Sequence, residues 1–183
     1  MKERIVSIDK NYLRPILRGK EIKPVEFGAK VHSIQIDGIN FIENLSFEAF
    51  NEGTRLASSI QYHKSLFGEE PKFLSGDKIY PTNANRKICT KKNILTNFKQ
   101  KGRRNKNKKV KAYISRYLSK KRSTVLEGSF GTEKEHYGDK RIKARIKSTE
   151  IYQIYVKIHT RNFLEIGKRI SCKLKDDLKD KVA

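Results

Sequence analysis

Asp77 and Glu127 are the two side chains in this sequence with the most chemistry to offer. Asp77 follows Gly76 at the end of a short predicted strand, Lys72 to Ser75, and a polar helix opens just after it at Pro81 and Thr82. Strand ends in α/β sheets are where sites collect. Glu127 lies in the amphipathic stretch Arg122 to Tyr137, whose spacing predicts a helix closed by Gly138. Glu127, Phe130, Gly131 and Lys134 fall there at i, i+3, i+4 and i+7, which is one helix face. A carboxylate and a lysine on one face can sit beside a metal and a phosphate. A hard divalent cation takes oxygen ligands and draws only a few carboxylates from the protein. Two such ions clamp the attacking and leaving oxygens of a phosphodiester. Each residue also has a plainer role. An Asp after a strand can cap the next turn, and a helix face with Glu and Lys can simply be solvated.

The surroundings favour a polyanion. Lys and Arg number 42 against 20 acidic residues, a formal net charge of +22. A charge of that size opposes compaction and attracts nucleic acid first, an anionic membrane surface second. The densest basic run is Lys99 to Lys111, which holds Arg103, Arg104, Lys106, Lys108 and Lys109 and reads as a flexible segment. A second basic patch carries Arg141, Lys143 and Arg145. Both suit phosphate contact, and flexibility does not oppose it.

Other chemistries drop out. Neither a P-loop nor a Gly-x-Gly-x-x-Gly pattern is present, and Gly128-Ser129-Phe130-Gly131 lacks nucleophile-elbow spacing. His32, His63, His136 and His159 form no i,i+4 metal pair and read as surface or satisfied histidines. Cys89 and Cys172 are far apart, without metal-type spacing, as expected in a reducing cytosol. No apolar run is long enough to span a bilayer, and the first residues lack a signal-peptide core.

The elements that must position these residues read as a mixed α/β order. Residues 1–24 look irregular, with a β-like piece at Ile5 to Ile8 and breaks at Pro15 and Pro24. Residues 25–36 read as a strand whose apolar phase switches near Ser33, which suggests a bulge. Asp37-Gly38 is a two-residue hairpin signal, and residues 39–45 return. Ser46 is the candidate cap of a helix that runs to about Phe67 and closes at Gly68. Ile94 to Phe98 is a further short strand, and Val110, Ile114, Tyr117 and Leu118 mark a helix. Ser148 is placed to cap a last helix, with a frayed tail from Ser171.

Four collinear stretches resemble bacterial insertion-sequence transposases of the DDE type. Residues 75–87, S-G-D-K-I-Y-P-T-N-A-N-R-K, resemble their second-aspartate motif, and residues 126–137, L-E-G-S-F-G-T-E-K-E-H-Y, their glutamate motif. Residues 25–38 and 50–55 resemble the strands and helix before them, so the likeness covers roughly residues 4–168. It implies an RNase H-like mixed sheet flanked by helices, with residues 25–168 as a partial catalytic domain and 169–183 as a charged tail. It also implies cleavage and strand transfer of DNA with two Mg²⁺ or Mn²⁺ ions, Asp77 and Glu127 among the catalytic metal ligands, a homodimer on paired DNA ends, and a cytoplasmic, nucleoid-associated protein. Lys134 matches the lysine seven residues after the glutamate and is expected to contact DNA. The expected arginine before the glutamate is replaced by Ser123, with Arg122 one position further back, and Lys120 stands where a tyrosine is expected.

The front of the chain departs from the pattern. Too few residues precede the strand pair at 25–45 to match the first core strand and its aspartate, and Asp9 lies in a linker-like piece. The resemblance therefore implies a C-terminal part without its first core strand, inactive by itself. A basic nucleic-acid-binding protein without catalysis is the competing reading that composition permits.

Overall fold

The computed structural model describes residues 7–17, 25–102, 108–126, 128 and 142–180. Strand β1 is Pro15–Leu17, β2 is Val25–Phe27, β3 is Lys30–Ile36 and β4 is Ile39–Ser46. A 3₁₀ turn, Glu52–Arg55, leads into helix α1, Leu56–Phe67. Then come β5, Phe73–Leu74, helix α2, Asn83–Lys91, and β6, Leu95–Thr96. Helix α3, Lys108–Lys121, passes into a π turn at Arg122–Leu126, and α4, Lys147–Asp180, ends the described chain. The class is mixed α/β, as the pattern predicts. The described strands make three pairs rather than one sheet: β1–β2 and β3–β4 antiparallel, β5–β6 parallel.

The β3–β4 hairpin follows from its turn. Asp37 and Gly38 have φ of 50° and 82°, the left-handed pair that a two-residue hairpin requires. The register shifts between His32 and Ser33, where the apolar phase switches. The expected strand over 25–36 is instead broken in two, because Gly28 sits at φ 132°, a conformation that does not continue a ladder. The region before it is more ordered than expected. Pro15 opens β1, a position where a missing N–H is harmless, and β1 pairs with β2. Ser7 and Ile8 form no strand, and Ile8 is fully exposed.

Helix α1 also starts later than Ser46 suggests. The Ser46 hydroxyl accepts from the Glu48 N–H and caps only a local bend. Asn51 is the residue that caps, its side chain accepting from the Gly53 N–H at 2.9 Å. Phe47 is withheld from the helix because it is buried against Tyr12, with ring centroids 4.8 Å apart. The other end is as expected: Gly68, at φ 79°, donates to the Lys64 carbonyl. In α2, Thr82 accepts from the Asn85 N–H.

The core is small. Leu56 and Ile60 of α1, Cys89 of α2 and Ile94 before β6 form its buried centre, with Leu74, Tyr80, Ile88 and Phe98 around them. Polar clasps supplement it. Helix α4, about 51 Å long, is tied to the hairpin by Asn162, which accepts from the Asn40 N–H at 2.9 Å and donates to the Asn40 carbonyl at 2.7 Å. Arg161 of the same turn donates to the Gly38 carbonyl. Near its start Glu150, buried, accepts from Lys10 and Tyr12 at 2.6 and 2.8 Å. Helix α4 continues through Ser171, where a frayed tail was expected.

Replacing Asn162 by Ala strips two buried backbone groups of their partner. That costs about 2–4 kcal/mol, read as a lowered urea midpoint with an unchanged slope. Asn162→Asp, which keeps the acceptor alone, falls between the two.

Candidate functional site around Asp77

Asp77 is held in place from three sides. Strand β5 ends at Leu74, and the Asn97 side chain, just beyond β6, continues the pairing that the backbone leaves off. Its Oδ1 accepts from the Gly76 N–H at 3.0 Å, and its Nδ2 donates to the Gly76 carbonyl at 2.9 Å. Ser75 and Ser115 fasten helix α3 to the same corner: Ser75 Oγ donates to the Leu118 carbonyl, and Ser115 Oγ to the Asn97 carbonyl. A side chain at position 76 would press on the Tyr80 ring, which would have to give by a few tenths of an ångström. A Cβ there would stand 3.1 Å from three atoms of the Tyr80 side chain.

Asp77 itself plays both roles open to it. Its Oδ1 accepts from the Lys78 N–H at 2.7 Å, and its carbonyl accepts from the Tyr80 N–H, so it shapes the turn. Its carboxylate also stays 61% exposed and lies 3.7 Å from Arg122 Nη2. An ion pair this exposed adds well under about 1 kcal/mol of stability. Arg122, expected as a DNA contact, therefore reaches the Asp77 corner, where it sits in the π turn that follows α3.

A buried polar chain leads away from this corner. The Tyr80 hydroxyl is 2.8 Å from His32 Nε2, and His32 Nδ1 is 2.8 Å from Glu43 Oε2. Arg55 donates to both Glu43 oxygens, at 2.5 and 3.1 Å. A carboxylate only accepts, so His32 Nδ1 carries a proton, and with a neutral ring Nε2 accepts from the Tyr80 O–H. Burial pushes the Tyr80 phenol well above its ordinary range, and the Glu52, Asp77 and Glu43 charges push the same way. Hydrogen bonding to Glu43 raises Arg55 further. His32 is thus a satisfied histidine, as its sequence context suggests. His63 lies within reach of the Glu69 carbonyl, and His159 is a surface residue stacked on Tyr155. Tyr80, Glu43, Arg55 and Asn97 escaped sequence reasoning, because each partner comes from a different element and no spacing rule links them.

Of the remaining expected contacts, Lys109 on α3 and Lys143 and Arg145 before α4 are exposed. Lys108 begins α3, so the end of the basic run is helical rather than flexible. Arg103, Arg104, Lys106, Glu127, Lys134, His136 and Arg141 lie outside the described residues. The helix expected over Arg122 to Tyr137 is described only as far as the π turn, which continues α3.

Residues 74–164 match the family model of the transposase DDE domain. This stretch belongs to the transposase DDE-domain family. The DDE segment opens at the last residue of β5 and closes within α4, so it contains Asp77 and Arg122 but not the hairpin or α1. It is shorter than the 4–168 span of the sequence resemblance. No curated protein and no solved structure matches the chain. A divalent ion calls for several oxygen ligands. Among the described residues no three His, Cys, Asp or Glu side chains converge. Asp77 with its arginine neighbour does not make such a site by itself.

The Tyr80 environment gives a pH test. A raised folded pKa means that the phenol form is favoured by folding, so this stability is complete below about pH 10. It is lost as pH rises through the folded value. Tyr12, pushed up to about 12 by burial and by Glu150, behaves alike. In a tyrosinate absorbance titration, Tyr80→Phe and Tyr12→Phe should each delete amplitude only from the late, alkaline part of the curve. Loss of early amplitude instead would contradict the burial of these hydroxyls.

Proposed function

We propose that this chain is part of a DNA-transposing enzyme, with Asp77 and Glu127 as acidic ligands of Mg²⁺ or Mn²⁺ and with DNA as the substrate. The observation that carries the reading is the position of Asp77: it follows the end of a parallel strand, inside the DDE segment, with its carboxylate open to solvent. When bound, a metal pair would supply Lewis-acid stabilisation at the phosphodiester and an activated water. Lys134 and Arg122 would hold phosphate beside the carboxylates. Arg103, Arg104, Lys106, Lys108, Lys109, Arg141, Lys143 and Arg145 would track the backbone further out. A homodimer on paired element ends and a nucleoid-associated location belong to the same reading. No helix among the described residues is long and apolar enough to cross a membrane.

Among the described residues this catalytic set is incomplete. The family resemblance implies three carboxylates, and the described residues put no third acid beside Asp77. The purified chain is therefore expected to leave supercoiled plasmid intact in MgCl₂ or MnCl₂. Nicking that disappears in Asp77→Ala would show instead that the site is complete. Should nicking appear, its loss in Glu127→Ala as well as in Asp77→Ala would test whether the two carboxylates act together.

A second reading, DNA binding without catalysis, is favoured by the +22 charge and by the arginine beside Asp77. Both readings require salt-sensitive binding. Affinity for a duplex should fall steeply between 50 and 200 mM salt. Lys109→Ala, Lys143→Ala and Arg145→Ala should each weaken binding to all sequences alike and flatten the log–log salt slope by about one. A variant that altered sequence preference rather than slope would place that residue at a base edge.

A further inference from the structure

Helix α3 is basic along its whole length. Lys or Arg stands at six of its 14 positions, and no position is acidic. Arg116 and Lys120 lie one turn apart on one face, a like-charge pair that opposes the helix. The helix carries no acid to relieve that pair, so the relieving anion comes from outside it. The other face is anchored, because Leu118 is buried and Ser115 is bonded to the Asn97 carbonyl.

Two rings interrupt the charge. Tyr113 and Tyr117 are i,i+4 neighbours and share a face, where they are 70% and 51% exposed. Residues three and four apart are neighbours on a helix, so Lys109 and Arg116 flank Tyr113, and Lys120 and Lys121 flank Tyr117. All four cationic residues are exposed. Lys121 Nζ stands over the Tyr117 ring, 5.9 Å from its centroid, which leaves the second ring face for another partner. Paired rings set in water among cations are the two parts of a single-strand platform: π-faces for bases and charge for the backbone.

The spacing selects among anions. An acidic peptide would use the lysines and leave the rings idle. A duplex offers phosphates, but its bases are stacked on one another. The two rings are about 6 Å apart along the axis, wider than the roughly 3.4 Å step of a duplex strand. Neighbouring bases therefore reach both rings only when they are unstacked from each other.

We propose that the Tyr113–Tyr117 face of α3 binds unpaired nucleotides of DNA, one base on each ring, with Lys109, Arg116 and Lys120 along the phosphates. Tyr117 lines the same cavity as Arg122 and Asp77, so this platform ends at the Asp77 corner. The proposal rests on DNA being the ligand, as in the reading above, and it needs neither a metal nor Glu127.

The test measures anisotropy of a labelled oligothymidylate of about twelve nucleotides and of a strand of the same length that is abasic throughout. The two carry the same phosphates, and only the first has bases to stack. The full chain is expected to bind the oligothymidylate more tightly. Tyr113→Ala and Tyr117→Ala should each weaken that binding about tenfold at every salt concentration, with the log–log salt slope unchanged. Their affinity for the abasic strand and for a duplex should stay as it was, which also shows that they are folded. Tyr113→Phe and Tyr117→Phe keep the ring and should bind like the unaltered chain. Equal binding of the two strands, Ala variants with undiminished binding or with an equal loss on duplex, or Phe variants as weak as Ala would overturn the proposal and leave the DNA reading standing. A chain that bound neither strand nor duplex would overturn both.

Discussion

Two hydrogen bonds from one side-chain amide decide where Asp77 sits. The β5–β6 ladder is only two residues long on each strand, too short to orient the residues beyond it. Asn97 mimics one more peptide unit, giving and receiving a bond at Gly76. An amide carries both a donor and an acceptor in one plane, which a hydroxyl or a carboxylate cannot match. With Gly76 fixed, the Tyr80 ring packs on it, the turn at Asp77 closes, and the carboxylate is turned outward beside Arg122. The constraint is local, and it joins the parallel pair, α3 and the turn to Tyr80 in one corner.

A chain with this net charge has little apolar surface with which to resist its own repulsion. The buried apolar centre draws on α1, α2 and the lead-in to β6, and does not reach α4. The more distant elements are held by carboxylates and amides with several partners each. Glu150 gathers Lys10 and Tyr12, Glu43 gathers His32 and Arg55, and Asn162 clasps Asn40. Such clasps are directional, so they specify one arrangement where a smooth apolar contact would permit several. They also carry a risk, since an acceptor buried without its partner costs more than the bond returns.

Local features were legible in the sequence to the extent that they depend on local chemistry. Asp37-Gly38, the bulge at Ser33, the Gly68 stop and the Thr82 cap each rest on a turn or a cap, and each is where the residues indicate. Errors arose where a distant partner competed. Phe47 packs on Tyr12 and so delays α1 beyond Ser46 to Asn51; the break at Gly28 is instead local, a glycine conformation hidden by the apolar alternation around it. At the site, Asp77 could be singled out from its place between a short strand and a polar helix. Its supports could not, because Asn97 is 21 residues away from Gly76, and His32 is 48 from Tyr80. The single mixed sheet was a family-level expectation, and three separate pairs stand in its place among the described residues.

The distance between those pairs is not left to chance. Tyr80 leaves the turn after β5, crosses toward β3 and meets His32 at the bulge, where the register shift turns that ring inward. Glu43 and Arg55 then fix the imidazole from behind. The hairpin and the parallel pair are thus joined by side chains at one end while their backbones stay apart. A bridge of this kind sets a spacing without using the strand edges themselves. Burial pushes the Tyr80 phenol further above its ordinary range, so the hydroxyl keeps its proton to donate.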